Sequence, residues 1–227
     1  MTRRGVIPFI LMALVWCTVS TATVFDLTGG GTTTLSTVVG ANSGNSILVG
    51  DKLLSGFTFN ATGNDPVNLL GADNISLMGR SNSFGFGIRI QGGFDAQGTQ
   101  NFDYVFDYTV TVTNAAFLIS DLHMVYNGLV DAPGSTSVTE TFFTNDLYVG
   151  QISVYDPPTT NMSATVYLDT PVSSLSVTKD INVNGNNGGQ GKISFVDQVF
   201  SQVPEPSSFV LVVSGLATLW FWRRRRS

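Results

Sequence analysis

In residues 102–113 every second position is an aromatic or a valine: Phe102, Tyr104, Phe106, Tyr108, Val110 and Val112. Asp103, Val105, Asp107, Thr109, Thr111 and Thr113 fill the alternate positions. Successive strand side chains point to opposite faces, so this stretch reads as a strand with one buried and one mostly polar face. The pattern constrains everything from Val24 to Val203, because no segment there keeps a 3.6-residue apolar period. Short alternating runs separated by Gly, Asn, Asp and Pro recur instead. Residues 84–90 repeat it, with Phe84, Phe86, Ile88 and Ile90 expected inward. Residues 53–59, 75–78, 138–143, 147–154, 164–168, 173–177 and 193–200 are further strands. Residues 117–126 load both faces, Leu118, Leu122, Met124 and Tyr126 on one and Phe117, Ile119 and Val125 on the other. That marks a central strand, or one covered by a loop or small helix. Turn formers cluster at 40–44, 63–66, 131–134, 156–158 and 184–191, where Asn-Gly supplies the positive φ of a hairpin turn. The expected fold is all-β: a single jelly-roll-like antiparallel β-sandwich over residues 23–202, of about ten strands.

Both ends of the chain differ from this. Arg3 and Arg4 precede an apolar run at 6–17, and Ser20, Thr21 and Ala22 are small residues suited to cleavage. Residues 1–22 therefore read as a signal helix, a secretory signal peptide cut between Ala22 and Thr23; an uncleaved signal anchor is the alternative. Cys17, the one cysteine, lies inside it. The exported part would contain none, and must hold together by core burial rather than disulfides. At the other end, Pro204, Glu205 and Pro206 lead into an apolar run at 209–222 and then Arg223, Arg224, Arg225 and Arg226. As a helix the run is roughly 21–24 Å long against a hydrocarbon core of about 30 Å. Trp220, Trp222 and snorkelling arginine stems make up the difference, giving a single transmembrane helix. The arginines resist translocation and stay in the cytoplasm, so the body before Pro204 lies on the far side.

Residues 203–227 closely resemble the PEP-CTERM sorting signal of Gram-negative bacteria. The order, spacing and terminal position of Pro204, Glu205 and Pro206, the apolar run and Arg223 to Arg226 all agree with it. The resemblance covers about a tenth of the chain. It implies export through the general secretion machinery and signal peptidase, a transient membrane anchor, and processing by an exosortase, a membrane-embedded transpeptidase-like enzyme. It also implies cell-surface or extracellular-matrix localisation, with a link to exopolysaccharide and biofilm. A permanent single-span tail anchor is the alternative.

The net charge of −5 conceals an asymmetry, because six of the eleven basic residues lie in the two end segments. Between them, five basic residues face fifteen acidic ones before Pro204, a charge of about −10. An acidic body with no basic patch excludes nucleic-acid binding. It also lacks the parts of familiar enzymes. His123 is the one histidine, and no Gly-x-Ser-x-Gly elbow is present. Asp121 and His123 alternate on one strand face and can touch; His123 reads as structural or surface. Asp103 and Asp107 share a face roughly 13 Å apart, beyond the separation of about 5–9.5 Å that glycosidase pairs use. Glu140, flanked by Thr139 and Thr141, reads as part of a solvated strand face. Calcium would find oxygen ligands in 60–73 and 95–107, neither with EF-hand spacing, and no cofactor is assigned. The sequons at Asn60, Asn74 and Asn161 arise by chance in so Asn-, Ser- and Thr-rich a chain.

The expectation is thus a non-enzymatic, exported surface or matrix protein. A carbohydrate-binding module is the alternative, with Tyr126, Tyr148, Tyr155 and Tyr167 as candidate sugar platforms. A hydrolase with an unrecognised carboxylate pair, for instance through Asp121 or Glu140, is a third reading.

Overall fold

The computed structural model describes residues 21–157 and 159–205. The signal helix before Thr21, Cys17, Pro206, the run at 209–222 and Arg223 to Arg226 lie outside them. Among the described residues no helix is long and apolar enough to cross a membrane.

Two facing sheets make an all-β sandwich. The first has the order β1 (Val24–Asp26), β3 (Ser46–Val49), β4 (Lys52–Gly63), β7 (Asn101–Val112), β12 (Ser174–Asn184), β9 (Ser135–Thr144), β10 (Leu147–Asp156). The second runs β11 (Ser163–Val172), β8 (Phe117–Asp131), β13 (Gly189–Pro204), β6 (Gly85–Gly98), β5 (Ser76–Asn82), β2 (Thr32–Thr34). All neighbours are antiparallel except β1 and β3. The expected strands are present. The short β1, β2 and β3 are additional, too brief for alternation to reveal.

The alternation of β7 translates directly into packing: Phe102, Tyr104, Phe106, Tyr108, Val110 and Val112 are all buried. Aromatic rings pack around them. Phe57 lies 5.3 Å from Tyr108, Phe59 5.0 Å from Phe106, and Phe94 4.9 Å from Tyr104. Each such buried side chain contributes about 1.5–3 kcal/mol over its exposed state.

Residues 117–126 read as apolar on both faces in the sequence because Ser120 is a bulge: Asp121 pairs with Ser201, but the next partners are Ile119 and Gln202. An extra residue reverses the parity, so Ile119 joins Leu122, Met124 and Tyr126 inside. Phe84 precedes β6 and is 53% exposed, while Ile88 and Ile90 are buried as expected. The turn at 184–191 is not a hairpin within one sheet. It uses positive φ at Asn186, Asn187 and Gly188 to carry the chain from β12 in one sheet to β13 in the other.

Polar residues also enter the core. Glu140 is not on a solvated face; Glu140, Lys179 and Gln198 are all 0% exposed. Each occupies an inward position, between Val138 and Phe142, Val177 and Ile181, or Val196 and Phe200. Lys179 and Glu140 are directly paired across β12 and β9 and form an ion pair. Gln198 reaches them from the opposite sheet. With its amide nitrogen turned toward Glu140 it donates to both carboxylate oxygens, 3.0 Å from Oε1. The surroundings resist charge: burial pushes the Glu140 carboxyl up and the Lys179 amine down, each opposed by its partner. Burial, reinforced by the charge of Glu140, holds the Tyr108 hydroxyl well above its ordinary value.

Candidate functional site

The sorting tail leaves from the middle of the second sheet. β13 continues to Pro204, which pairs with Phe117. The Glu205 amide then donates to Ala116 O at 2.8 Å. Gln202 adds a fastening to the other sheet, accepting at 2.5 Å from the buried Lys52 Nζ, which also bonds Asp51 at 2.6 Å. Burial lowers the Lys52 amine and Asp51 opposes that shift. Pro204 and Glu205 of the expected motif are thus held by the fold, and Pro206 is not described. At the opposite end of the chain, Ala22 and Thr23 are exposed. The Thr23 amide donates to Asn45 Oδ1 at 2.7 Å, so the domain's hydrogen bonding begins one residue after the expected cut.

Beside the exit, on the outer face of the second sheet, is a shallow groove of about 420 Å³. Asp121, His123, Ser201 and Gln202 line it together with Phe84 and Tyr167. β8 and β13 bring His123 beside Ser201, and β11 adds Thr165. Asp121 and His123 do touch: Nε2 is 2.6 Å from Asp121 Oδ1 and 3.0 Å from Ser201 Oγ, while Nδ1 is 2.9 Å from Thr165 Oγ1. The Phe84 ring stacks on the imidazole at 4.0 Å. A Ser-His-Asp triad needs the carboxylate and the nucleophile on different ring nitrogens. Asp121 and Ser201 compete for the same one, so Ser201 has no base here. The hydroxyl on the other nitrogen belongs to Thr165, on the edge strand β11. Sequence reading did not find Phe84, Thr165 or Ser201, because pairing between distant strands brings them to His123.

The carboxylates fall into other arrangements. Asp107 accepts from Thr58 at 2.8 Å and Thr178 at 2.7 Å. Asp103 meets Asp180 of β12, and burial first, then a hydrogen bond to Asp103 and its charge, raise the Asp180 carboxyl to about 7. The Oδ1 atoms of Asp103 and Asp180 are both buried and have no hydrogen-bond donor. Carboxyls in hydrogen-bond contact are closer than the roughly 5–9.5 Å of a glycosidase pair. Of the calcium stretches, Asp65 and Asp95 line one groove. Their oxygens are taken by Asn68, Gln97, Gln100 and Gln190, and among the described residues no three potential ligand side chains converge on a metal position.

The candidate sugar platforms divide. Tyr126 is in the core, its hydroxyl 3.3 Å from Thr136. Tyr167 and Tyr148 are 73% and 62% exposed. Only Tyr167 shares a groove with several hydrogen-bonding side chains and a second ring, Phe84.

No curated protein matches this sequence. Among solved structures the chain is similar to TmCBM61 in complex with β-1,4-galactotriose, at 10% identity over 65% of this chain and 88% of that one, with a TM-score of 0.33. It is also similar to the enzymatically active domain of bacteriophage CBA120 tailspike protein 4, at 11% identity over 65% of this chain and 19% of that one, with a TM-score of 0.30. A third similarity is to carbohydrate-binding modules from the β-sandwich superfamily, at 10% identity over 65% and 57% of the chains, with a TM-score of 0.28. Superpositions this loose carry no argument about fold or ligand. The tail is another matter: residues 202–226 match the PEP-CTERM protein-sorting motif, and the chain is accordingly a PEP-CTERM protein whose motif starts on the last residues of β13.

Proposed function

We propose that this is an exported, non-enzymatic surface or matrix protein, held by its tail until an exosortase trims it, and associated with exopolysaccharide. The observation that carries the reading is the sorting motif at 202–226. Its direct continuation from β13 supports it, since trimming near Pro204 would leave the sandwich intact. The chemistry then belongs to the processing enzyme, with this chain as its substrate. The sheet orders β11-β8-β13-β6 and β7-β12-β9-β10 interleave the last eight strands as a jelly roll does, which supports that finer description of the exported body. Mass spectrometry of surface material from producing cells tests the proposal. The expected mature form lacks Arg223 to Arg226; recovering them on the surface form overturns trimming.

A second reading, a carbohydrate-binding surface, is favoured by the His123 groove. Two exposed rings, Phe84 and Tyr167, stand beside Asp121, His123, Asn82 and Gln202. An apolar platform next to hydrogen-bonding groups is what a sugar ring requires. On an array of matrix polysaccharides, Tyr167→Ala is expected to weaken retention about tenfold, the size of one lost stacking contact. Equal retention of both proteins removes the groove from consideration.

A further inference from the structure

The Glu140, Lys179 and Gln198 cluster is unusual for where it lies and what it contains. An amine and a carboxamide, each fully buried, engage the same carboxylate oxygen, Glu140 Oε1. Phe106 and Glu140 are the cross-strand neighbours of Lys179, and the Met124 sulfur lies 3.8 Å from its Nζ. The Tyr108 hydroxyl is buried without a partner and close enough to feel the charge of Glu140. Nothing in the sorting motif or the outer groove uses these groups.

We propose that Lys179 and Gln198 form an intramolecular amide bond across the two sheets, with Glu140 as the proton carrier. The Lys179 ammonium passes a proton to the Glu140 carboxylate, leaving a free amine and a carboxylic acid. The amine nitrogen attacks Cδ of Gln198, forming the Nζ–Cδ bond. The Cδ–Nε2 bond breaks, and the departing nitrogen takes up the proton lost by the attacking one, relayed through Glu140. It leaves as ammonia. The products are one secondary amide, one ammonia and Glu140 as the neutral acid. No oxidant, metal or cofactor enters, and no atom is unaccounted for.

Three features favour the step. Burial disfavours the charged forms of both Glu140 and Lys179, which biases the pair toward the amine and acid that the reaction needs. The reaction removes a buried ion pair, whose desolvation is a standing penalty. The Tyr108 O–H is a spare donor near the site for the developing oxyanion. The location also gives the bond a purpose. β13 runs directly into the tail, so a pull on the attached end loads β13 first. An amide to β12 passes that load to the centre of the other sheet. A chain with no cysteine outside residue 17 has no disulfide to do this.

Peptide mapping of the full chain by mass spectrometry, after proteolysis under denaturing conditions, decides the matter. The expected result is a branched peptide joining Lys179 to Gln198, lighter than its two parts by one ammonia. Separate, unmodified Lys179 and Gln198 peptides from protein with a folded β spectrum overturn the proposal. So does a branch from Lys179 to Glu140 lighter by one water. Glu140→Gln keeps hydrogen-bonding capacity but cannot carry the proton, and is expected to abolish the branched peptide; a branched yield equal to that of the unaltered chain overturns the role of Glu140. Should that variant not fold, the map of the unaltered protein still decides.

Discussion

Lys179→Met is expected to lower the stability of the sandwich by about 3–5 kcal/mol, read from urea unfolding. The reason is the partner left behind. Glu140 and Gln198 would remain at the centre of the core, fully buried, with the carboxylate facing no cation. Water cannot reach it, and the carboxyl must either protonate or open the sheets. The control is a triple replacement, Glu140→Leu, Lys179→Met and Gln198→Leu, which removes all the buried polar groups together. Apolar residues of similar volume often match or exceed a buried ion pair, so the triple variant is expected within about 1–2 kcal/mol of the unaltered chain, less whatever a covalent link contributes. A Lys179→Met protein as stable as the parent would mean that the cluster is hydrated or open, contrary to the packing described above.

The second large effect is on pH dependence. The Asp180 carboxyl is raised from 3.8 to about 7 by burial and by Asp103. Between these values the unfolded chain has released the proton and the folded chain still holds it. Stability therefore falls as pH rises through this window, opposite to the behaviour of a salt-bridged carboxylate. Asp180 is only half-buried, so solvent screening reduces the effect to about 2 kcal/mol, or roughly 4–8 °C in Tm for a domain of this size. Asp180→Asn keeps the contact with Asp103 without the titration. Its Tm is expected to change little from pH 4 to 7 by comparison. A parental Tm that rises over this range would show that the two carboxyls do not share a proton.

Residue parity carried more information than residue type. Val138-Thr139-Glu140-Thr141-Phe142 alternates so that Glu140 belongs inside, and Lys179 and Gln198 also occupy inward positions on their strands. The expectation that a charge faces water overrode the alternation for Glu140. It failed because the three side chains satisfy one another, and each partner lies on a different strand. Parity misled at Phe84, which lies just outside β6 and is exposed, and where the backbone itself breaks step. Ser120 is an extra residue in β8, and nothing in the local composition distinguishes a bulged serine from a paired one. The groove was half legible: Asp121 and His123 are two residues apart and had to share a face, whereas Ser201, Thr165 and Phe84 arrive from three other parts of the chain.

The order of residues along the chain determined by itself the all-β class, the buried face of β7, the cysteine-free body and the sorting tail. Each of these is a local property, set by period, composition or a contiguous motif. The tertiary structure alone decided which strands are neighbours, that β13 is central and delivers the tail without slack, and that an amine, a carboxylate and a carboxamide meet in the core. These depend on pairings between residues tens of positions apart, and strand pairing is selected by the fit of whole faces rather than by any one segment.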